Sequence, residues 1–408
     1  MQACHRVRFA RLAEPKDAAR IGRRGGEGML YAAELLVSFV VAWSAVRMLD
    51  PLARRWGLLD HPRGRKDHAQ PTPVTGGPAV MLGVLAALPL MAPFSNAVVA
   101  FCLGGMLLLV VGIVDDLYDL PWKPRVLAQC AAALIMVYVG GVRIEHIGPL
   151  FGHESLEVGW LSVPFTVFVT VGIINAINMA DGSDGLAGTL VLVALAMLAA
   201  VCVVAGNDML FGRILPLIGA VTGFLALNMR HPWQARARAF LGNSGSAVLG
   251  FFVAWLTVRV SHFPGHPVSS ILLPWLVALP LIDCLVLMTR RVREGRSPFS
   301  ADRNHMHHLM LDAGFTPTQA ALLLGTVSVA FGAMAATALR ADVPPMLLVI
   351  AFVLLIGVHY RMTADRDRAV ALLRRMRRMP AIPQREVRAL PLESNTAVES
   401  AHQAGNSA

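Results

Sequence analysis

Apolar segments long enough to cross a lipid bilayer recur through most of this chain. A transmembrane helix needs roughly 17–25 mainly apolar residues, and about eleven runs approach or reach that length. They are 29–49, 77–94, 97–114, 126–142, 161–177, 189–205, 211–227, 248–260, 271–288, 318–339 and 345–360. With 55% hydrophobic and only 15% charged residues, the composition excludes an ordinary soluble domain. We therefore predict an all-α polytopic integral membrane protein with about eleven transmembrane helices.

Short polar turns separate the runs, so residues 29–360 are predicted to form one transmembrane domain. Residues 1–28 are basic and lack apolar periodicity, and we interpret them as a disordered extension. Since Met29 opens the first run, we hypothesise that translation starts there. Residues 361–408 are predicted to be a basic, largely disordered tail. Within it, 365–379 is either a basic amphipathic helix on anionic lipid or part of the solvated tail.

The polar loops that begin near residues 50, 115, 178, 229 and 290 are all predicted to lie on one side of the membrane. Two runs separate each loop from the next, and an even number of crossings returns the chain to the same face. These loops are rich in arginine, whereas the opposite loops are short and hold few basic residues. The positive-inside rule therefore makes this face cytoplasmic. The same rule and anionic lipid explain the net charge of +10 without a nucleic-acid partner.

The third of these loops, residues 175–188, reads NAINMADGSDGLAG and lies between two apolar runs. Its amide and carboxylate side chains are Asn175, Asn178, Asp181 and Asp184. A charged side chain at the centre of a spanning helix costs about 2.5–3.5 kcal/mol on insertion scales. Asp181 and Asp184 should therefore lie at the water interface or in a polar cavity, which suggests function. The alternative is a plain polar turn with helix-capping residues.

The first loop carries the basic trio Arg65, Lys66 and His68 beside prolines and glycines. Such a cluster suits phosphate oxygens, although a positive-inside loop without a ligand has the same composition.

The second loop places Asp115 and Asp116 side by side at the end of a run, with Lys123 following. Adjacent carboxylates repel unless a cation or a proton neutralises them. Mg²⁺ suits such oxygen ligands, and solvation of a helix end is the alternative.

The fourth and fifth loops add further polar groups. The fourth reads FLGNSGS, with Asn243 among glycines, and the fifth gathers Arg303, His305, His307 and His308. Three histidines could bind a transition metal, but no acidic or thiolate fourth ligand accompanies them, so phosphate or sugar hydroxyls are favoured. Together the loops hold what is needed to bind a metal-bound diphosphate beside a lipid. Phosphoryl transfer depends mainly on such charge neutralisation and positioning.

At these loops the chain resembles the polyprenyl-phosphate N-acetylhexosamine-1-phosphate transferases, the MraY/WecA superfamily. The matching stretches are DHPRGRKDHAQPTPVTGG, DDLYDLPWKPR, NAINMADGSDGLAG, FLGNSGS and RSPFSADRNHMHHL, and they occur in the family's order between Asp60 and Leu309. The ending ADRNHMHHL resembles the N-acetylglucosamine branch rather than the branch with a muramyl-pentapeptide substrate.

The resemblance implies transfer of N-acetylglucosamine 1-phosphate from UDP-N-acetylglucosamine to undecaprenyl phosphate, with release of UMP. The lipid product would start O-antigen or another surface glycan. The family's cofactor is Mg²⁺, with Mn²⁺ as a substitute, and its place is the bacterial inner membrane with a cytoplasmic active site. The expected partners are the lipid acceptor, the UDP-sugar and membrane lipids, and a homodimer is left open.

Carried over by position, Asp115 would activate the lipid phosphate, Asp116 would hold metal and substrates, and Lys123 would hold phosphates. Asn178 would place its amide on the metal. The remaining roles are substrate binding, with Asp181 and Asp184 on the nucleotide or sugar. The histidine loop would bind the donor through Arg303, His305, His307 and His308, and Arg65, Lys66, His68 and Asn175 complete the substrate-binding set.

One position departs from the family. Gly242 is followed by Asn243 where relatives have an aspartate that binds the metal. Asparagine keeps an oxygen of similar reach but loses the charge, so we predict weaker metal affinity rather than an inactive site. The alternatives left open are another UDP-N-acetylhexosamine donor and a catalytically reduced paralogue that binds lipid carriers. A transporter is disfavoured because the polar motifs share one face and no internal repeat is visible.

Overall fold

The computed structural model describes residues 25–61, 70–90, 94–150, 155–265, 268–300 and 302–377. The predicted extension up to residue 24, the basic trio Arg65, Lys66 and His68, and the tail from residue 378 lie outside that part. The interpretations given to them stay predictions.

Helices make up almost all of the regular structure. They are α1 (Gly25–Trp56), α2 (Gly76–Ala87), α3 (Asn96–Tyr118), α4 (Trp122–Tyr138), α5 (Ser162–Ala180), α6 (Leu186–Ala205), α7 (Asp208–Asn228), α8 (Gly242–Ser261), α9 (Leu273–Leu276), α10 (Ala278–Arg293), α11 (Met306–Asp312), α12 (Pro317–Arg340), α13 (Pro345–Met362) and α14 (Arg366–Arg377). Strands β1 (Leu59–Asp60) and β2 (Thr72–Pro73) pair antiparallel. This short hairpin closes the first polar loop.

The prediction of an all-α polytopic membrane protein is confirmed. Within the described residues, eight helices are long and apolar enough to span a membrane, or nine if Ser270–Leu276 and α10, bent by 79°, form one span. The predicted count of eleven is not confirmed. The two remaining runs do form helices, but α2 with its 3-10 extension ends at Leu90 and α4 has only 17 residues. At 17 residues, α4 lies at the lower limit of the length that crosses the roughly 30 Å hydrocarbon core.

Helix α8 is the centre of the bundle. Of its apolar window, 94% is buried inside the protein, more than in any other described span. It packs against α2, α3, α5 and α6, while α1 covers α2 and α7 on one side. Because α8 begins at Gly242, the bundle places the FLGNSGS motif at the end of the most buried helix.

Small residues let α3 and α2 approach the start of α8. A Cβ atom added to Gly112 of α3 would overlap the backbone of Ser244, and one added to Gly77 of α2 would overlap the backbone of Gly245. Side chains larger than hydrogen would push these helices apart. The close approach brings the end of α3, which carries Asp115 and Asp116, against the first turn of α8.

The C-terminal segment is a correction to the sequence interpretation. Residues 366–377, which were expected either on lipid or in a solvated tail, form α14 and pack on the protein. Ala369 and Val370 of α14 are buried against Leu309 and Ala313 at the histidine loop. Apolar residues on one side of the helix find a protein surface, which sequence periodicity alone does not identify.

Candidate active site

Asp116 lies at the N-terminus of α8. Its Oδ1 accepts a hydrogen bond of 2.7 Å from the Asn243 backbone N–H, and its Oδ2 accepts one of 3.1 Å from the Ser244 N–H. A carboxylate is stabilised at this end of a helix by the unpaired N–H groups and the helix dipole. Gly242 has a φ of 72° and no room for a Cβ beside Asp116. Asp116 therefore fixes where α8 begins and hence where Asn243 lies.

Asp115 is buried and paired. Its Oδ1 accepts a 2.8 Å hydrogen bond from the Leu120 N–H, and its Oδ2 accepts one of 3.2 Å from Nη1 of Arg125. The side chain of Asp115 is 1% exposed and that of Arg125 is 31% exposed. Arg125 ends the DDLYDLPWKPR stretch but was not singled out from the sequence. The only sequence feature that could have identified Arg125 as a site residue is its basic side chain one helical turn after the start of α4.

Asn178 joins the third loop to the start of α8. Its Nδ2 donates to Oδ1 of Asn243 at 3.2 Å and to Oγ of Ser246 at 2.8 Å. The position at which the chain departs from the family is therefore in direct contact with the amide that the family places on its metal. An aspartate at 243 would offer the same acceptor with a full negative charge.

These side chains surround a cavity of about 450 Å³ that is partly open to solvent. Its polar lining is Asp115, Arg125, Gln129, Asn175, Asn178 and Asn243. Asn175 is held there by a 2.7 Å hydrogen bond from its Nδ2 to Oε1 of Gln129. The rest of the lining is apolar, and within it Trp122 stacks on Phe299 with ring centroids 4.8 Å apart. A polar group attached to a hydrocarbon chain fits such a lining.

Lys123 does not line this cavity. It is exposed, and its Nζ lies 6.0 Å from the ring centroid of Trp122. Its predicted contact with phosphates stays a prediction, whereas Arg125 supplies the positive charge among the described lining residues.

Asp184 and Asp181 differ in their surroundings. Asp184 Oδ2 accepts a 2.6 Å hydrogen bond from Nε of Arg230, an arginine of the fourth loop. The Asp181 N–H donates to the Asn178 carbonyl at 3.1 Å, but the Asp181 carboxylate has no hydrogen-bond or ion-pair partner within the described ranges. Burial, followed by the nearby carboxylates of Asp116, Asp184 and Asp60, raises the pKa of Asp181 to about 8. A carboxylate that faces others without a counter-charge is a natural neighbour for a cation.

In the described part of the chain, no group of three or more acidic, histidine or cysteine side chains is arranged to hold one metal ion. Mg²⁺ does not need such a group, because it commonly uses one or two carboxylates, waters and substrate phosphates. The carboxylates of Asp116 and Asp181 and the amides of Asn178 and Asn243 fit that requirement.

Asp283 of α10 contacts and positions the histidine loop. Its Oδ2 lies 2.8 Å from Nδ1 of His305, and its Oδ1 lies 3.1 Å from Nε2 of His359 in α13. The buried Arg291 lies 3.4 Å from Nε2 of His305 and donates to Oδ2 of Asp302 at 2.8 Å. Both ring nitrogens of His305 thus have protein partners, which favours a positioning role over direct substrate contact.

His307 has a different environment. Its ring packs so closely on Gly182 that a Cβ there would overlap it, and its buried Nε2 has no hydrogen-bond partner within the described residues. Burial, and then the neighbouring His308 and His305, lowers the pKa of His307 well below its usual value. A neutral imidazole with an unpaired nitrogen beside Gly182 keeps one hydrogen-bonding position unused within the described residues. It also joins the fifth loop to the third.

Helix α14 braces the same loop. Nη1 of Arg366 donates to the Arg303 carbonyl at 2.6 Å and to Oδ1 of Asn304 at 3.2 Å, and its guanidinium pairs with Asp312. Arg374 donates to the Asp312 carbonyl at 3.0 Å. Arg303 itself lies 3.5 Å from Asp312. Sequence reasoning missed Arg366 and Asp312, because nothing in the motifs links a helix after the last span to the histidine loop.

The five loops do lie together, as the crossing count predicted. The first loop reaches the fourth through β2, where the Phe240 N–H donates to the Pro73 carbonyl at 2.8 Å. The second loop meets the fourth at Asp116, the third meets it at Asn178, and the fifth meets the third at His307.

Comparison with known proteins gives a consistent result. A family model described as glycosyl transferase family 4 matches residues 98–261. The protein named undecaprenyl-phosphate alpha-N-acetylglucosaminyl 1-phosphate transferase from Escherichia coli K12 is 34% identical over 276 residues, covering 67% of this chain and 74% of the relative. The proteins of that name from Yersinia pestis and Haemophilus influenzae are 33% identical over 304 residues and 32% identical over 294 residues. They cover 74% and 72% of this chain, and 82% and 83% of their own lengths.

Proposed function

The chain belongs to glycosyl transferase family 4, and on that premise we propose that it transfers N-acetylglucosamine 1-phosphate from UDP-N-acetylglucosamine to undecaprenyl phosphate. The products are UMP and undecaprenyl-diphospho-N-acetylglucosamine. The reaction takes place at the cytoplasmic face of the bacterial inner membrane and supplies the first sugar of a surface glycan such as O-antigen.

The observation that carries this proposal is the cavity between α3, α4, α5 and α8. Its lining combines a buried carboxylate, an arginine and amide groups with apolar side chains. A lipid phosphate needs both kinds of surface at once, because its head is anionic and its chain is hydrocarbon.

In the proposed reaction an oxygen of the lipid phosphate attacks the phosphorus that carries the sugar. The new P–O bond forms as the bond from that phosphorus to the bridging oxygen breaks, and the bridging oxygen leaves on UMP. Arg125 pairs with Asp115 and lies in the cavity lining, where it would hold the lipid phosphate. Asp115 accepts the proton of that phosphate when it carries one.

The donor would lie between the third and fifth loops. Its sugar-phosphate part would lie near Arg303 and near His307, whose buried Nε2 has no hydrogen-bond partner among the described residues. Asp116, Asp181, Asn178 and Asn243 would hold Mg²⁺, with Mn²⁺ as a substitute. When bound, the ion neutralises charge on the diphosphate. Asp116 also keeps the first turn of α8, and with it Asn243, in place.

The test is a donor panel. Purified protein is incubated with undecaprenyl phosphate, MgCl₂ and one of several UDP-sugars, and UMP release is measured. We expect release with UDP-N-acetylglucosamine, none after chelation by EDTA, and a fall of about 10²–10⁴-fold in the Asp115→Asn variant. Turnover with a different UDP-N-acetylhexosamine instead would keep the chemistry and replace the donor.

Asn243 supports a second candidate, a catalytically reduced protein that binds lipid carriers. It predicts saturable binding of undecaprenyl phosphate to folded protein with no UMP from any donor. UMP release by the unmodified chain with any donor, at any Mg²⁺ concentration, would exclude that candidate.

A further inference from the structure

Two arginines lie at the end of the helix bundle opposite the carboxylates. Arg213 is about 7 Å inside the start of α7, and Arg259 is about 3 Å before the end of α8. The other ends of these helices carry Asn228 and Asn243, at the candidate active site. Both arginine side chains are half-buried, and their positive charges are close enough to repel each other.

Neither arginine has a polar partner in the part of the chain that the structure describes. Nε of Arg259 is buried without a hydrogen bond, and the guanidinium lies over the ring of Phe263 at 4.9 Å. On the same face, by contrast, Arg143 forms a 2.9 Å ion pair with Glu145. A half-buried cation without a counter-charge is costly, and two that repel each other are more so.

An apolar groove lies beside Arg213, and its empty space is about 370 Å³ when the open solvent at its mouth is included. It is formed by side chains of α2, α3, α7 and α8, among them Val84, Val98, Phe101, Pro216 and Trp255. Arg213 is the only charged residue among the described residues that line it. An apolar groove with a guanidinium at its edge matches a molecule that has a hydrocarbon chain and an anionic head.

We propose that Arg213 and Arg259 bind the phosphate of an anionic phospholipid, one acyl chain of which lies in this groove. Phosphate matches guanidinium groups in charge and in bidentate geometry. Arg213 lies in the second turn of α7 and Arg259 in the last turn of α8, near the helix ends, which is the depth of lipid headgroups. The bound lipid would belong to the leaflet opposite the proposed reaction. The site does not depend on the proposed transferase activity.

Lipid retention tests the proposal. Protein freed of lipid by detergent washing is incubated in micelles with phosphatidylglycerol or with phosphatidylcholine of the same acyl chains, and native mass spectrometry measures the retained lipid. Wild type should prefer phosphatidylglycerol. The double variant Arg213→Gln, Arg259→Gln should lose about tenfold in its retention, since hydrogen bonds to charged groups are lost. The control Arg143→Gln, on the same face but paired with Glu145, should retain as much as wild type.

Two further measurements keep the outcome decisive. Phosphatidylglycerol should raise the melting temperature of wild type but not of the double glutamine variant. The double variant Arg213→Lys, Arg259→Lys, which keeps both charges, should retain an intermediate amount of lipid. Equal retention by wild type and the glutamine variant, or equal retention of phosphatidylcholine by wild type, would overturn the proposal. Displacement of the lipid by inorganic phosphate would show that the groove contributes nothing, and would overturn it as well.

Discussion

The carboxylate–amide cluster (Asp115, Asp116, Asn178 and Asn243) and the histidine loop (residues 303–312) are positioned in different ways. The cluster lies where helix ends meet, and glycines at 112 and 77 allow that contact. The histidine loop is held by side chains from α10, α13 and α14, through Asp283, His359 and Arg366. Helix packing fixes the position of the carboxylate–amide cluster, so a substitution in the cluster should alter the reaction rather than the position of the cluster. A network of side chains holds the histidine loop, so a substitution outside that loop can move it.

Removing the centre of that network should have the largest effect. In Asp283→Ala, the partners on His305 and His359 are lost together with the acceptor for the Met306 N–H. Breaking a buried, hydrogen-bonded pair of this kind costs about 3–5 kcal/mol. We expect a marked fall in the melting temperature and loss of UMP release.

The control for this variant is Asp283→Asn, which keeps an acceptor oxygen and should recover part of the stability. If Asp283→Ala melts like wild type, the histidine loop is held by helix packing, and the contrast between the two regions fails.

The opposite kind of change is Asn243→Asp, which adds charge to the cluster and leaves the histidine loop untouched. A carboxylate at 243 would lie near Asp116, so we expect lower stability in EDTA because like charges repel. With Mg²⁺ the same charge attracts the cation. The Mg²⁺ concentration for half-maximal rate should fall by about tenfold, because one contact to a charged group contributes a free energy of that size. An unchanged dependence on Mg²⁺ would remove Asn243 from the proposed metal ligands.

Arg366→Ala tests whether α14 positions the histidine loop. The variant loses the hydrogen bonds to the Arg303 carbonyl and to Asn304 together with the pairing with Asp312. Arg366 is 37% exposed, so solvent reduces the cost, and we expect KM for the UDP-sugar to rise about fivefold with kcat little changed.

The matched control is Arg368→Ala on the same helix. Arg368 is 88% exposed and pairs only with Asp365 among the described residues, so its removal should leave KM unchanged. Hydrogen exchange over residues 303–311 should rise in Arg366→Ala and not in Arg368→Ala. Equal exchange in the two variants would assign the effect to charge alone.

The smallest expected effect concerns Asp181, where the third loop meets the histidine loop. An acid whose pKa is about 8 in the folded protein and 3.8 in its ordinary state binds its proton more tightly when folded. Its contribution to stability is therefore full at pH below about 4 and is lost as the pH rises toward 8. In EDTA, the melting temperature of wild type should fall between pH 6 and pH 9 by a few degrees more than that of Asp181→Asn. If the melting temperatures of wild type and Asp181→Asn change with pH in parallel, the pKa of Asp181 is not raised by folding.

The residues of the site were largely predictable, and their partners were not. Paired carboxylates, an amide-rich turn and a histidine cluster can be recognised by residue type and spacing. The contact between Asp116 and Asn243, however, joins residues 127 positions apart. Whether a carboxylate faces a substrate or a helix N-terminus depends on shifts of an ångström in how helices pack, and no local pattern encodes that.

Residue pattern alone was enough to identify the all-α membrane class, the five polar loops that come together and the family that they resemble. The recurrence of long apolar runs with polar motifs between them is a property of the chain that no packing detail changes. The fold settled the number of spanning helices, because the bend between Leu276 and Ala278 and the 17-residue length of α4 leave the hydropathy pattern unchanged. It also decided that Arg125, rather than Lys123, lines the cavity, and that α14 packs on the histidine loop instead of extending into solvent. Those outcomes depend on which surfaces are buried together, and burial is a property of the whole bundle.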